Sequence, residues 1–478
     1  MELSPVGISI AAAALLLALL GRRIAPIVAI VCFVFVSSAI VALNVIGGAP
    51  ITVPQWGLVI LLACAALQAR AGKHLAGALH AEPALQVLFL FVMYAVASAV
   101  LFPRLFAGDT LVFTLSRGMA QSNRIPIPLR PSSGNITQAF YLVGGAAAFC
   151  AVQILVRDRS DFRRLATGFG LLIVLHVTFG IVDAIGKYGM NLDVLSFLRS
   201  AKYAMLTDDS VLGFFRLVGT YPEASGFAFA SAGYIAFALT LWLYGRGRTV
   251  WPLLSLALII LLGLSTSSTG YVFLTIAVLA IGGFVLGQVA RNRFFASTLI
   301  LVAFVGTLAT VGLVVLVVNE TAFDSFAALI DRMVFNKLGS QSAAERFMWN
   351  RQNIANFTDT FGIGVGLGSS RSSSWLLALT SQVGVIGSAL FGLFLFLVLA
   401  TPRPRQVDSG EQDVGTTQLA FKAYMAGTLV ASAISGAVFD LGLAFYLSAG
   451  MVVAARRVGA EAMAFKGEYA FVWPVRAG

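Results

Sequence analysis

Thirteen apolar stretches can be laid along the chain, and every odd-numbered one is followed by a cluster of arginine or lysine. The stretches run roughly 3–20, 24–46, 52–69, 85–102, 139–156, 165–186, 225–244, 251–265, 270–290, 295–318, 373–400, 419–436 and 438–455. Arg22 and Arg23 follow the first, Arg70 and Lys73 the third, and Arg157, Arg159, Arg163 and Arg164 the fifth. Arg246 and Arg248 follow the seventh, Arg291 and Arg293 the ninth, Arg403 and Arg405 the eleventh, and Arg456 and Arg457 the last. A helix needs about 20 residues to cross a bilayer. Short basic loops are retained in the cytoplasm. The alternation therefore predicts an amino terminus outside and a carboxyl terminus inside.

The fold class follows. With 59% hydrophobic and 11% charged residues, the chain reads as all-α, a polytopic transmembrane helix bundle of about 12–13 spans. Its 478 residues form a single integral membrane domain, 1–478. A β-barrel is excluded, because its strands would alternate in polarity. The net charge of +11 sits in loops and implies contact with anionic membrane lipids. No element interleaves aromatic and basic residues as nucleic-acid binding would require. Cys32, Cys64 and Cys150 lie in apolar spans as packed thiols, so neither a disulfide framework nor a zinc site is expected. Residues 1–20 lack a basic leading region and read as a retained first span. The eighth span is short and meets the ninth through Ser265-Thr266-Ser267-Ser268-Thr269-Gly270. Two helices keep the charge alternation downstream, whereas one would reverse it. No internal repeat is visible.

The even-numbered loops face outward in this scheme. Those at 47–51, 266–269 and around 437 are tiny; those at 103–138, 187–224 and 319–372 are long and carry arginines where such charge is normally sparse. Loops beyond about 15 residues are commonly functional. These three contain Pro, Trp, Tyr and Phe and are expected to fold, with short helices, into a cap at the outer face. Within the third, Ser342 and Glu345 have capping-box spacing. The helix they would start places Arg346, Asn350, Asn353 and Phe357 on one face.

Four outer constellations carry candidate chemistry. Arg216 precedes Tyr221-Pro222-Glu223, where Pro222 suits a helix start and Glu223 its first turn. Glu223 is either a helix-dipole carboxylate or a general base beside an anion-binding arginine. The small residues that follow, Gly226 to Ala236, allow close helix packing. Arg346 is either a surface ion-pair partner or a phosphate ligand, a role that suits the planar guanidinium. Gly362, Gly364, Gly366 and Gly368 alternate up to Ser369, Ser370 and Arg371. The run matches neither a Walker loop nor a dinucleotide fingerprint. It allows a tight re-entry to the membrane, or backbone amides and hydroxyls that hold an anion beside Arg371. Arg130 to Gln138 reads first as a capped turn, while Asn135 and Gln138 could contact a sugar. Asp208-Asp209 is a solvated turn in preference to a cation site. His74 and His80 fall on the inner side and His176 within the sixth span, so no outer histidine serves as base or metal ligand. Asp183 and Asp440 lie near outer span ends, and the middles of the spans are poor in the charges a coupled transporter would bury.

Together these outer segments resemble the O-antigen ligase and polysaccharide polymerase superfamily of bacterial inner membranes. The matching pieces are Arg216 with the Gly219-Thr220-Tyr221-Pro222-Glu223 approach to a small-residue span, the turn from Ser265 to Tyr271, Arg346 with Trp349, and the glycine run leading to Arg371. They cover about the carboxyl-terminal 60% of the chain, joined by the piece from Asn135 to Gln138. The resemblance implies a GT-C-like membrane glycosyltransferase that uses sugar on a polyprenyl diphosphate, with no cofactor and no metal. It implies Arg216 and Arg346 on the diphosphate with Glu223 as base, and Arg371, Tyr221, Asn350, Ser370, Asn135 and Gln138 as substrate contacts. Chain-length regulators and export proteins are its implied partners. Ligases of the family carry a histidine after the glycine run; this chain has Arg371-Ser372-Ser373-Ser374-Trp375. That departure points to a polymerase of exopolysaccharide, capsule or O-antigen repeats. The alternatives are a ligase moving finished chains to another acceptor, and a flippase for the same lipid-linked sugar.

Overall fold

A computed structural model describes residues 2–42, 50–115, 125–201, 210–211, 214–245, 250–290, 298–300, 341–404, 414–436 and 438–470, with isolated positions between 302 and 324. The tenth apolar stretch (295–318), Asp208-Asp209, and the basic pairs Arg246/Arg248 and Arg291/Arg293 lie wholly or largely outside the described residues.

The described chain is mostly helical. In order come α1 (Pro5–Leu19), α2 (Ala25–Val31), α3 (Val53–Ala66), α4 (Ala71–Ala81), α5 (Pro83–Leu105), α6 (Ser133–Leu155) and α7 (Arg159–Ala184). Then follow α8 (Ala224–Tyr244), α9 (Val250–Leu264), α10 (Ser268–Ala290), α11 (Gln341–Asp359), α12 (Trp375–Ala400), α13 (Val414–Ser435) and α14 (Leu443–Ala470). Among the described residues six helices are long and apolar enough to cross a membrane, or seven if α3 and α4, bent by 99°, count as one. α1, α2 and α9 are shorter apolar helices. These helices fit a multi-pass membrane protein.

Helix starts follow local chemistry. Pro5 and Pro83 occupy first turns, where a missing N–H costs nothing. Ser132 and Asn135 form a reciprocal capping box at α6, and Thr52 and Gln55 do so at α3. Asp158 caps α7 by accepting from the Asp161 amide at 2.9 Å.

The second apolar stretch departs from expectation. Its helix ends at Val31, continues as a 3-10 turn over Cys32–Val34, and gives way to β2 (Ala39–Ala42). This strand pairs antiparallel with β1 (Glu2–Leu3) and β3 (Pro50–Thr52). The run Phe33 to Ala42 is rich in Val and Ile, residues that suit a strand as well as a buried helix. Two further small ribbons, β4 (Leu111–Val112) with β5 (Ile127–Pro128) and β6 (Ser210–Val211) with β7 (Phe214–Phe215), lie in the long loops. α4 falls between the third and fourth apolar stretches, where the sequence predicts no span.

The small-residue stripe of α8 packs on α13. A side chain at Gly233 would meet Thr428 Oγ1 at 2.6 Å, and one at Gly427 would meet the Ala232 carbonyl at 2.7 Å. Phe169, Phe237, Phe421 and Tyr424 fill the centre with edge-to-face and tilted contacts.

The two ends of the bundle differ. At one, Arg456 pairs with Glu82 at 2.8 Å, Arg457 donates to Gln153, and Arg164 pairs with Asp161. At the other, the long loops meet each other. Arg371 N donates to the Phe113 carbonyl, Asn135 reaches Leu367, Thr110 reaches Asp359, and Thr220 reaches Val34.

Candidate functional site

The segment that carries Arg216 is clamped residue by residue. α7 ends in a π-helical turn, Ile185–Met190. Asp183, wholly buried, accepts from the Val218 and Gly219 amides at 2.8 and 3.0 Å. It also pairs with Lys187 at 3.4 Å and Arg199 at 3.2 Å. Lys187 donates to the Arg216 carbonyl at 2.8 Å, Tyr188 to the Phe215 carbonyl at 2.7 Å, and Arg199 Nε to the Gly219 carbonyl at 2.9 Å. Asp193 completes the group at 2.7 Å from Arg199. Buried charges are tolerated when paired and hydrogen-bonded on all sides, and this group is. Gly219 at φ +53° makes the turn that permits it. The Arg216 side chain, half-buried, stands within electrostatic range of Tyr271 on α10.

Glu223 is the N-cap of α8, but its carboxylate makes no capping bond; it accepts from Ser225 Oγ instead. Pro222 therefore stands one residue ahead of the cap and not inside the first turn. Tyr221 is buried against His176 and Phe227, and burial pushes its phenol up. It belongs to the packing of the bundle, which withdraws it as a substrate contact.

The glycine run is explained by pairing with α12. α12 is broken at Gly384, whose φ is +65° and ψ −164°. The rings of Trp375 and Phe391 are 5.4 Å apart, whereas sixteen residues of straight helix would separate them by about 24 Å along the axis. The two halves therefore fold towards each other. At the break, Val365 N donates to the Ser381 carbonyl and Gly366 N to the Gln382 carbonyl, both at 2.9 Å. Gly368 N donates to Gln382 Oε1 at 2.8 Å, and Leu367 N to Ser98 Oγ at 3.3 Å. The four glycines have φ between +75° and +95°. A side chain at Gly366 would collide with Ser98 and Pro103 of α5, and one at Gly368 with Gly134 of α6. These amides are spent on protein acceptors. The expectation that they cradle an anion is corrected to a structural role, and the tight re-entry is the reading that fits.

α11 covers this junction, and since it already includes Gln341, Ser342 lies inside its first turn. Asn353 Oδ1 accepts from Ser370 and Ser381, and its Nδ2 donates to the Arg371 carbonyl at 2.6 Å. Asn350 Oδ1 accepts from Ser373 N at 3.0 Å and Ser372 Oγ at 3.2 Å. Asn135 gives both amide protons to Leu367 and Ser369, at 2.7 and 2.8 Å, and its oxygen to the α6 cap. Ser370, Asn350 and Asn135 thus hold the loop in place; Asn135 and Ser370 spend their side chains on it, and Asn350 its Oδ1. Gln138 is also buried, with Oε1 unpartnered.

Arg371 emerges from this scaffold. Its guanidinium lies 4.5 Å over the Trp349 ring, and Nε finds no hydrogen-bond partner. Burial holds its pKa below the ordinary value; Glu223 and Glu345 oppose that shift and Arg346 adds to it. Arg371, Arg346, Glu223 and Glu345 therefore share one electrostatic neighbourhood. A desolvated guanidinium with a second cation nearby is a place where an anion gains. Arg216 is not among the charges that act on Arg371; it stands on its own clamped loop within electrostatic range of Tyr271.

Asp183, Lys187 and Arg199 are invisible as a group in the sequence, because their spacing carries no motif. Gln382 and Gly384 interrupt an apolar run and do carry one: the mark of a discontinuous helix. Among the described residues no cluster of His, Cys, Asp and Glu could hold a metal ion. Comparison with protein families, curated proteins and solved structures finds no match to this chain.

Proposed function

We propose that the protein is a metal-independent glycosyltransferase that polymerises oligosaccharide repeats carried on a polyprenyl diphosphate, working at the loop end of an inner-membrane bundle. The observation that carries this reading is the half-buried Arg371, stacked on Trp349, with Arg346 and Glu223 in the same electrostatic neighbourhood. A hydroxyl of the incoming lipid-linked repeat attacks the anomeric carbon of the growing chain. The new C–O bond forms as the bond to the diphosphate breaks, and its electron pair leaves with the diphosphate. Arg371 and Arg346 stabilise the charge that builds there, and Arg216 is assigned to the same diphosphate by its place in the Tyr221-Pro222-Glu223 segment. Glu223 takes the hydroxyl proton, with Ser225 fixing the orientation of its carboxylate. The activated donor supplies the driving force.

The test is chain length. Arg346→Ala and Arg216→Ala should give folded protein that leaves single repeat units on the lipid carrier. Long chains of ordinary length from both variants would refute polymerisation at this site. Long chains stranded on the lipid carrier would point to a ligase instead.

A further inference from the structure

α11 is amphipathic the wrong way round for a helix in water. The side turned to the protein is largely polar: beside Trp349, Asn353 and Asn356 are buried, Gln352 donates to the Leu111 carbonyl, and Asn350 holds the serine loop. The side turned away carries Phe347, Met348 and Ile354, with Phe347 69% and Ile354 55% exposed. A helix packed on a soluble core buries its apolar stripe and shows its polar one. The residue just past the helix repeats the anomaly. Phe361 sits at φ +53°, a left-handed conformation that bulky residues avoid, yet its side chain is 88% exposed. This face is continuous with a surface that already belongs to lipid. Gly362 lies against both Phe357 of α11 and Val385 of α12, and Val385 and Ile386 are exposed on that long apolar helix.

We propose that α11 lies in the plane of the membrane interface, with Phe347, Met348, Ile354 and Phe361 immersed in lipid hydrocarbon. Arg351, exposed on the same side, reaches from there to the headgroups. Helices with this composition settle at the boundary between headgroups and acyl chains. The polar underside, with Arg346, is thereby held at the level where a lipid-borne diphosphate would sit. The placement rests on the exposure pattern and stands whether or not the reaction proposed above is right.

The experiment uses nitroxide labels on the full chain in phosphatidylcholine–phosphatidylglycerol liposomes. Ile354→Cys and Phe347→Cys are made after replacing Cys32, Cys64 and Cys150 by alanine. Leu393→Cys, on the outward side of α12, is the lipid reference. Collision with oxygen, enriched in lipid, is compared with collision with a water-soluble nickel chelate. The ratio at both α11 positions should shift severalfold from that of free label towards that of Leu393→Cys. Strong collision with nickel would place this face in water and overturn the proposal. Weak collision with both reagents would place it under protein and would overturn it equally. Should the cysteine-free chain fail to fold, a photoreactive lipid applied to the unaltered protein decides the matter. Adducts within residues 347–361 support immersion; adducts on α12 with none on that segment refute it.

Discussion

Arg371 lies with its guanidinium 4.5 Å over the ring of Trp349, while its backbone carbonyl accepts a hydrogen bond from Asn353 one turn further along the same helix. The helix thus holds both the backbone and the guanidinium of the residue. A cation over an indole in a desolvated setting gains on the order of 2 kcal/mol. Trp349→Ala should therefore raise KM for the lipid-linked repeat roughly tenfold, and Trp349→Phe much less. An unchanged KM in Trp349→Ala would remove the ring from the site.

Arg371 itself should matter to the rate. Removing one group that stabilises transition-state charge costs about 3 kcal/mol, or roughly a hundredfold in kcat. Arg371→Ala is expected to show that loss with only a small change in unfolding temperature, because relief of the desolvated cation offsets the lost contact with the Trp349 ring. A folded Arg371→Ala enzyme with full kcat would contradict the assignment.

The buried ion group predicts a stability contrast. Asp183→Asn leaves Lys187 and Arg199 without their shared carboxylate, a change that costs about 3–5 kcal/mol for a buried pair. Asp193 is partly exposed, its side chain at 19%, so Asp193→Asn should cost well under half as much. Thermal unfolding in detergent reads both. Equal shifts would mean that Asp183 does not hold the Arg216 loop.

Two glycines with similar backbone angles should respond differently to alanine. Gly108 has φ +85° and open space where a methyl would go, while Gly368 has φ +80° and would place its methyl 2.3 Å from the Gly134 carbonyl. Gly108→Ala should cost only the backbone term, about 1 kcal/mol. Gly368→Ala adds the collision and should unfold at a distinctly lower temperature. Similar unfolding temperatures would argue that the run is not wedged between α5 and α6.

Asp440 supplies a dependence on pH. Burial raises its pKa from the ordinary 3.8, against a hydrogen bond from the Gly442 amide that lowers it. The folded state then holds the proton more tightly than the unfolded chain does. Stability falls as pH rises from 3.8 through the raised value. Asp440→Asn should be more stable than the parent at neutral pH, with the gap closing in acid. A gap that stays constant from acid to neutral pH would show that the carboxyl does not titrate in that window.

Much of the helical framework could be read from apolar runs, since span length and polarity are set by the bilayer. α11 was legible from its Asn and Arg spacing. The second apolar stretch was not, because Val and Ile between residues 34 and 41 suit strand and helix alike, and only pairing with Glu2–Leu3 and Pro50–Thr52 selects the strand. In the site, Arg346 and Arg371 stood out by their misplaced charge, and Glu223 by its place at the entry to a span beside Arg216. Asn135 and Ser370 carried the right chemistry for a substrate contact but are consumed by the scaffold, a distinction that depends on contacts 17 to 234 residues apart along the chain. Asp183, Lys187 and Arg199 escaped for the same reason.

The break in α12 also has a temporal side. Its freed carbonyls at Ser381 and Gln382 are taken by Val365 and Gly366, and a bilayer offers such groups no water in exchange. A nascent α12 would thus be most stable as a straight rod. It can bend only once the preceding glycine segment has doubled back beside it, and that segment in turn needs α5 and α6 already in place. Assembly of the loop end is thereby tied to the last stages of insertion, after the surrounding walls stand.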